Sequence, residues 1–414
     1  MSRPLIELDS ARRIVLERAV SLERRDVSLE DALGMTLAVD VISSETVPGF
    51  ENSAMDGFAV RAADLAGATA SSPAVLRSVD ESRAGRPAAR SLKPGEAIAI
   101  STGAPLPEGA DSVVPIEDVS EGAGEIRVGR AVEHGSHVRS AGEDIRAGEV
   151  VLSAGTGVGP FELGVLASIG RVEAPCVRRP VARVLTTGDE LLDPGEPLRR
   201  GGVRNTNAYT IPALARISGA TVAGTRSVGD TEDATKAAVV EALDCDVAIL
   251  CGGVSVGAHD HVRPALSAAG AQQLFWGVAL RPGRPTWFGT HAGGPGGRTT
   301  LVFGLPGNPV SAVVTFLLFV RPAIRVLCGA EPERDRLTVV LDESYGKQPG
   351  RAHAVRCRLE LRDDGWHART TGPQGSHVLT SMLGADALAI VPSASAGVAA
   401  GERIEVELLP RSFY

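Results

Sequence analysis

Between Pro180 and Cys328 the chain alternates apolar runs of strand length with stretches of helical spacing, and most of the runs end in a glycine-rich or acidic turn. Such alternation specifies helices crossing over a mostly parallel sheet. The strands read as VARVLTT (181–187), TVAGTRSV (221–228), CDVAILCGG (245–253) and TTLVFGL (299–305). The helices read as segments around Tyr209–Ile217 and Asp233–Leu243, one after Asp260, and a long apolar one from Pro309. In an open α/β sheet a ligand sits in the crevice beyond the carboxyl ends of the strands, so the residues just after each run carry most of the functional weight.

Three of those strand ends stand out. VARVLTT is followed by Gly188-Asp189-Glu190, VAILCGG by Val254-Ser255-Val256-Gly257 and then Asp260, and LVFG by Leu305-Pro306-Gly307-Asn308-Pro309-Val310-Ser311. Asn308 suits an N-cap and Pro309 a first helical turn, so Gly307 to Ser311 should present free N–H groups at a positive dipole end, an anion site. An ordinary capped strand-to-helix turn would look the same. Gly252, Gly253 and Gly257 permit close backbone approach, to a phosphate or merely to a neighbouring helix. Glu190, Asp230 and Asp260 lie at or just past strand ends, where carboxylates beside a phosphate suit Mg²⁺; each alone also reads as a solvated loop acid or a cap. His259 and His261, two apart on a loop, make a poor chelating pair.

Ahead of the last strand, LFWGVALRPGRPTWFGTHAGGPGGRTTL (274–301) reads as an inserted hairpin. Arg281 and Arg284 flank its Pro282-Gly283 turn, where two guanidinium forks could clamp a tetrahedral oxyanion or simply be solvated. The helix VSAVVTFLLFV is apolar all round, which means core or a subunit interface.

The remaining segments flank this unit. Helical spacing over Leu8 to Val20 and a capping-box-like SLED from Ser28 give an N-terminal helical region (1–46 with 139–178), which also holds the helix FELGVLASI bracketed by Pro160 and Gly170. From 47 to 138, short β runs between Gly/Pro turns give a β-rich insert domain. Within it, Asn52-Ser53-Ala54-Met55-Asp56-Gly57 and Ser101-Thr102-Gly103-Ala104-Pro105 place small polar groups on turns. Residues 179–328 form the α/β domain, and 329–414, with RLTVVLD, HAVRCRLEL and ERIEVELL, a small β-barrel-like C-terminal domain. The expected fold class is thus multidomain α+β around a central three-layer α/β domain.

Composition removes several function classes. A formal charge of −8 over 414 residues argues against a nucleic-acid partner, which would need a basic face. Five scattered cysteines match neither a disulfide framework nor a zinc spacing, and point to a reducing, cytoplasmic setting. No apolar run approaches the ~20 residues of a membrane span, so a membrane role is not expected.

Taken together these segments closely resemble the MoeA family of molybdopterin molybdenumtransferases and the related C-terminal domain of gephyrin. The stretches that carry the resemblance are PGFENSAMDGFAV (48–60), STGAPLPEGADSVVPIED (101–118), GEDIRAGEVV (142–151), TTGDEL (186–191), CGGVSVGAHD (251–260), RPGRPTWFG (281–289) and GLPGNPVSA (304–312). The resemblance implies an elongated homodimer with cofactor-biosynthesis partner proteins, and an active site between the α/β domain of one subunit and the β insert of the other. It implies Mg²⁺-dependent insertion of molybdate into adenylylated molybdopterin with release of AMP. Carried over by position, Asp56, Thr102, Glu190, Asp230, Asp260, Pro306 and Pro309 match residues linked to activity. Arg281, Arg284, Ser311, Arg351 and Ser376 match positions around the molybdate. Asp260, with Glu190 and Asp230, is the expected Mg²⁺ set, and Gly252, Gly253, Ser255, Gly257, Gly307 and Asn308 the expected pterin-phosphate loops. One departure is clear: relatives usually carry lysines where this chain reads RPGRP, and often a basic residue at Gly277. Two other readings share the architecture, a pterin-binding carrier or scaffold without transferase activity and an ATP-using adenylyl-transferring module.

Overall fold

The computed structural model describes residues 4–254, 260–332 and 336–410. Helix α1 (Leu8–Arg18) buries Leu8, Ala11 and Val15 on one stripe, and Arg12 from the same face reaches Glu407 at the other end of the chain. The stretch after it is not wholly helical. Arg24–Ser28 is a strand paired antiparallel with Glu173–Val177, and the SLED signal yields a single helical turn, Leu29–Ala32, with Ser28 accepting from the Asp31 N–H at 3.2 Å. Helix α2 (Pro160–Ser168) starts on its proline, as expected.

The insert holds a six-stranded sheet in the order Ser112–Pro115, Gly57–Val60, Glu96–Ile100, Ala74–Ser82, Glu125–Val128, Val119–Gly122. Its hydrogen bonds stay local. Among the described residues, none joins 50–138 to 178–410. The central domain is tied instead to the segment before it. Arg178, almost fully buried, forms a two-pronged pair with Asp246 (2.7 and 2.8 Å) and a further bond to Glu23 (2.6 Å).

The central sheet consists of β1 (Val181–Thr187), β2 (Thr221–Val228), β3 (Val247–Cys251), β4 (Gln272–Trp276), then, past the two-residue strand β5 (Leu280–Arg281), β6 (Trp287–His291) and β7 (Thr300–Leu305). The spatial order is β2-β1-β3-β7-β6-β4. The first four in that order are parallel, so Thr187, Val228, Cys251 and Leu305 end at one edge. The inserted hairpin adds β6 and β4 antiparallel, making the sheet mixed. Successive residues feed two separate cores, as the period of two in a strand requires. Ala182, Val184, Val247, Ile249, Leu301 and Phe303 join the core that contains helix α3 (Asn207–Ile217) and α1. Leu185, Ala248, Leu250 and Val302 join the one that contains α4 (Glu232–Ala242) and α5 (Val262–Ala268).

Helix α6 (Pro309–Leu327) is apolar and long enough to cross a membrane by composition alone, but it is mostly buried here and belongs to the first core. Core, then, is the outcome for the all-apolar segment. Its middle, Phe316–Val320, widens to a π turn.

The C-terminal region closes into a five-stranded barrel: β8 (Arg336–Leu341), β9 (Ala352–Arg362), β10 (Gly365–Thr370), β11 (Ala387–Val391) and β12 (Arg403–Leu408), in the order β9-β10-β8-β12-β11 with β9–β11 sealing it. The sequence reading named the first, second and last of these strands. Strand β5 leaves the central sheet's hairpin and pairs parallel to β9, setting Leu280 opposite Ala352 and Arg281 opposite His353.

Candidate functional site at the sheet edge

The loops after β1, β3 and β7 touch. Gly252 and Gly253 adopt positive φ (+92° and +60°), and a Cβ on Gly252 would lie 2.6 Å from the Thr187 carbonyl oxygen. No side chain fits there, which is the physical reason for glycine. The Gly252 N–H donates to Leu305 O at 3.0 Å, and Asn207, at the start of α3, donates through Nδ2 to Gly307 O at 2.8 Å. Asn205 holds the adjoining strands through Thr186 Oγ1 and Ser227 Oγ, both at 2.8 Å, and its Oδ1 accepts from the Ala208 N–H. Sequence reasoning passed over both asparagines; the only signal was their position between a strand and a helix.

Helix α6 begins as expected, with Asn308 at the N-cap position and Pro309 first. The Asn308 side chain, however, makes no capping bond, so the cap reading fails in its chemistry while holding in its place. The Val310 N–H donates to Ser376 O of the barrel region at 3.2 Å, and Ser311 is buried on the same turn beyond the buried Pro306.

Acids gather on one side of this edge. Asp189 and Asp230 brace each other's loops: the Asp230 N–H donates to Asp189 Oδ1 at 2.9 Å, and the Asp189 N–H to Asp230 Oδ2 at 3.4 Å. Glu190 beside them is exposed. Asp260 differs in kind, because both its carboxylate oxygens are buried without a hydrogen-bond partner and burial pushes its carboxyl up to about 6. Arg263 and His261 offset only part of that burial, and a desolvated carboxylate without a hydrogen-bond partner suits a cation, so Asp260 fits a Mg²⁺ ligand by its chemistry. The expected trio does not converge, however. Among the described residues no three acidic, histidine or cysteine side chains form a metal-binding group. Ser255, Gly257 and His259 lie outside the described residues. Thr187 Oγ1 and Asn207 Oδ1 are further buried polar atoms without partners in this crevice.

Cations gather where β5 meets the barrel. Arg281 and Arg284 are exposed on either side of Pro282-Gly283, a turn closed by the Val278 N–H to Arg284 O bond at 2.9 Å. Exposed Arg351 leads into β9, and Lys347 Nζ donates to the carbonyls of Arg351, Ser393 and Ser395 at 3.0, 3.3 and 2.7 Å. His353, buried beside them, shares a 3.0 Å bond between Nδ1 and the Tyr345 hydroxyl. Burial, reinforced by Arg281, Lys347 and Arg351, pulls its imidazole down to about 4 and keeps it neutral. Tyr345, Lys347 and His353 were not anticipated, because only the fold brings them to Arg281.

Asp56 and Thr102 meet in the insert, where the Thr102 N–H donates to Asp56 Oδ1 at 2.8 Å. Both are exposed, and among the described residues no hydrogen bond carries them to the sheet edge.

Fold and site together define a multidomain protein around a mostly parallel α/β sheet, with acids on the loops at its strand ends and exposed arginines where its hairpin meets the C-terminal barrel. Family models match in order along it: the MoeA N-terminal region (domains I and II) over 6–170, a probable molybdopterin binding domain over 183–326, and the MoeA C-terminal region (domain IV) over 338–409. A molybdopterin molybdenumtransferase 2 of Mycobacterium tuberculosis is 36% identical over 406 residues, covering 95% of this chain and 97% of that protein. The molybdopterin molybdenumtransferase of Bacillus subtilis is 36% identical over 98% of this chain and 95% of its own length. A crystal structure of the molybdopterin biosynthesis MoeA protein from Pyrococcus horikoshii superposes with a TM-score of 0.81 at 29% identity, over 98% of this chain and all of that one. The chain belongs to the MoeA family of molybdopterin molybdenumtransferases.

Proposed function

We propose that this chain is a transferase that inserts molybdate into adenylylated molybdopterin and releases AMP, completing the molybdenum cofactor. The observation that carries the reading is the sorting of charge, with Asp260, its carboxylate oxygens buried without a hydrogen-bond partner, at the strand ends and exposed Arg281, Arg284 and Arg351 where the hairpin meets the barrel. An adenylylated pterin needs phosphate-compatible loops, which Gly252, Gly253, Gly307, Asn308 and the start of α6 supply. Molybdate is a compact tetrahedral dianion, which Arg281, Arg284, Arg351, Ser311 and Ser376 would orient by charge-assisted bonds.

Asp260, with Glu190 or Asp230, would hold Mg²⁺, whose charge would offset that of the pyrophosphate link. Pro306 and Pro309 fix the backbone of the α6 entry, so its N–H groups are placed before the ligand arrives. Asp56 and Thr102 would complete the crevice from a second subunit, in a cytoplasmic homodimer whose partner proteins supply the adenylylated pterin. A site shared in this way gives those two exposed residues a role that their own chain does not.

The deciding assay supplies purified protein with adenylylated molybdopterin, Mg²⁺ and molybdate, and follows AMP and active cofactor. Production of both, dependent on molybdate, is expected. Pterin binding with no AMP release would leave a carrier and overturn the reading, and ATP consumption in its place would make the chain an adenylyl transferase.

A further inference from the structure

The hairpin's first strand, β4, ends on Trp276, and the indole reaches from there to the turn that carries Asp260. That turn leaves β3 through Gly252, Gly253 and Val254 and returns to regular structure in α5, with its two ends side by side: a Cβ on Gly253 would stand 2.5 Å from Val262 Cγ2. Trp276 lies across this neck. Its Nε1–H donates to Val254 O at 2.8 Å, and the Arg263 guanidinium, on the first turn of α5, lies over its ring with Cζ 5.0 Å from the centroid. Asp260 sits between the two points that are held. The entry is wedged from a second direction, since a Cβ on Gly304 of β7 would lie 2.6 Å from Val254 Cγ1. The cross-strand neighbour Trp287 gives the contrast. Trp287 is fully buried and its Nε1–H stays within the hairpin, on Gln273 Oε1 at 3.0 Å. Trp276 is only half-buried, yet it commits both its N–H and its ring face to a turn from another part of the sheet.

We infer that Trp276 is a positioning residue for Asp260: one indole closes the neck of the turn, at its entry by a hydrogen bond and at its exit by a cation–π contact, and so holds the carboxylate ready for a divalent cation. This rests on the reading of Asp260 as a metal ligand given above, and Trp276 acts through Asp260 rather than by contact with a ligand. A ligand on a loose turn must be ordered when the cation binds, and that ordering subtracts from affinity; a turn pinned at both ends has it done beforehand. The same strand leads on to β5 and Arg281, so the hairpin that carries the arginines also steadies the acid.

Two measurements on the full chain test this: Mn²⁺ binding in the presence of AMP, followed by electron paramagnetic resonance, and the Mg²⁺ concentration for half-maximal AMP release. Trp276→Ala should weaken both about 10-fold. Trp276→Phe keeps a ring under Arg263 but loses the N–H, and should weaken both about 3-fold; it also keeps the test decisive should Trp276→Ala fail to fold. The molybdate concentration for half-maximal rate should stay within about 2-fold of the parent in each. Trp287→Phe disturbs the same hairpin, and should lower the melting temperature while leaving the metal requirement at the parent's value. A purely architectural role for Trp276 would lower kcat with the active fraction and leave metal binding unmoved. That result in folded Trp276→Phe, or an equal shift in Trp287→Phe, overturns the inference if Asp260→Asn still abolishes Mn²⁺ binding. If Asp260→Asn binds Mn²⁺ no differently from the parent, the metal reading of Asp260 falls, and this inference with it.

Discussion

The two walls of the crevice obey opposite rules. On the parallel-strand side, Asp189 and Asp230 engage each other's backbone and Asp260 keeps its carboxylate oxygens buried without a hydrogen-bond partner. On the barrel side, Arg281, Lys347 and Arg351 gather round a neutral His353, and Lys347 donates to carbonyls rather than to carboxylates. Parallel strand ends offer helix N-termini and loops on which acids can be held over phosphates by way of a metal. A hairpin leaning on a barrel offers long, forked side chains for a bare oxyanion. Acids and bases in contact would cancel; held on separate domains, they stay available to separate parts of one substrate complex.

The comparison breaks first at Asp260. Asp260→Ala is expected to lower AMP release on the order of 10³-fold with an unchanged circular dichroism spectrum. Full turnover in that variant would remove the acidic wall from the chemistry. Next, the double change Arg281→Ala with Arg284→Ala should raise the molybdate requirement about 100-fold and leave pterin affinity nearly intact; equal losses for both substrates would show that the walls do not divide the labour.

Two smaller effects sharpen the contrast, because the walls should respond to pH with opposite sign. Asp260 has a folded-state pKa raised to about 6, so in metal-free protein it opposes folding increasingly as pH climbs from about 4 to 6, and fully above that. Thermal melts of Asp260→Asn should show it more stable than the parent by about 1 kcal/mol at pH 8, solvent screening allowed for, with the gap closing as pH falls through 6. His353 is depressed to about 4, so the unfolded chain takes up a proton near 6.5 that the folded one refuses, and stability is lost as pH drops from about 6.5 to 4. His353→Gln should blunt that acid loss by about 1 kcal/mol or less in the same melts. A parent–variant gap with the same pH slope at both positions would mean that the walls are not electrostatically distinct.

What was legible in the sequence was whatever leaves a local mark. The runs VARVLTT, VAILC and LVFGL carry their strands on their faces, Pro309 marks the start of α6, and the turns at Gly252 and Gly307 announce close backbone approach. Pairings between distant segments leave no such mark. Leu280–Arg281 reads as part of a hairpin, yet it pairs with Ala352–His353, and that ladder alone builds the cationic wall. Strand Gly365–Thr370 was unread because its polar residues leave no apolar run, whereas Ala387–Val391, apolar and almost wholly buried, did carry a local mark that the reading passed over. Asn207 could be found only from its contact with Gly307. The Asp189–Asp230 brace was half visible: GDE stood out as an unusual strand end, but nothing in it says which acid faces which loop.

Helix α6 runs from the anion end of the crevice to Leu327, a span of about 28 Å at 1.5 Å per residue. Its far end is held by the Leu22 N–H, which donates to Leu327 O at 3.0 Å, and its flank by α1. It works as a strut whose footing is the N-terminal segment, so the coordinates of Pro309 and Ser311 are inherited from residues that never approach a substrate. A clipped or loosened N-terminus would shift the ligand cradle bodily with every residue of the crevice still present, and a screen scoring only crevice substitutions would miss that class of lesion.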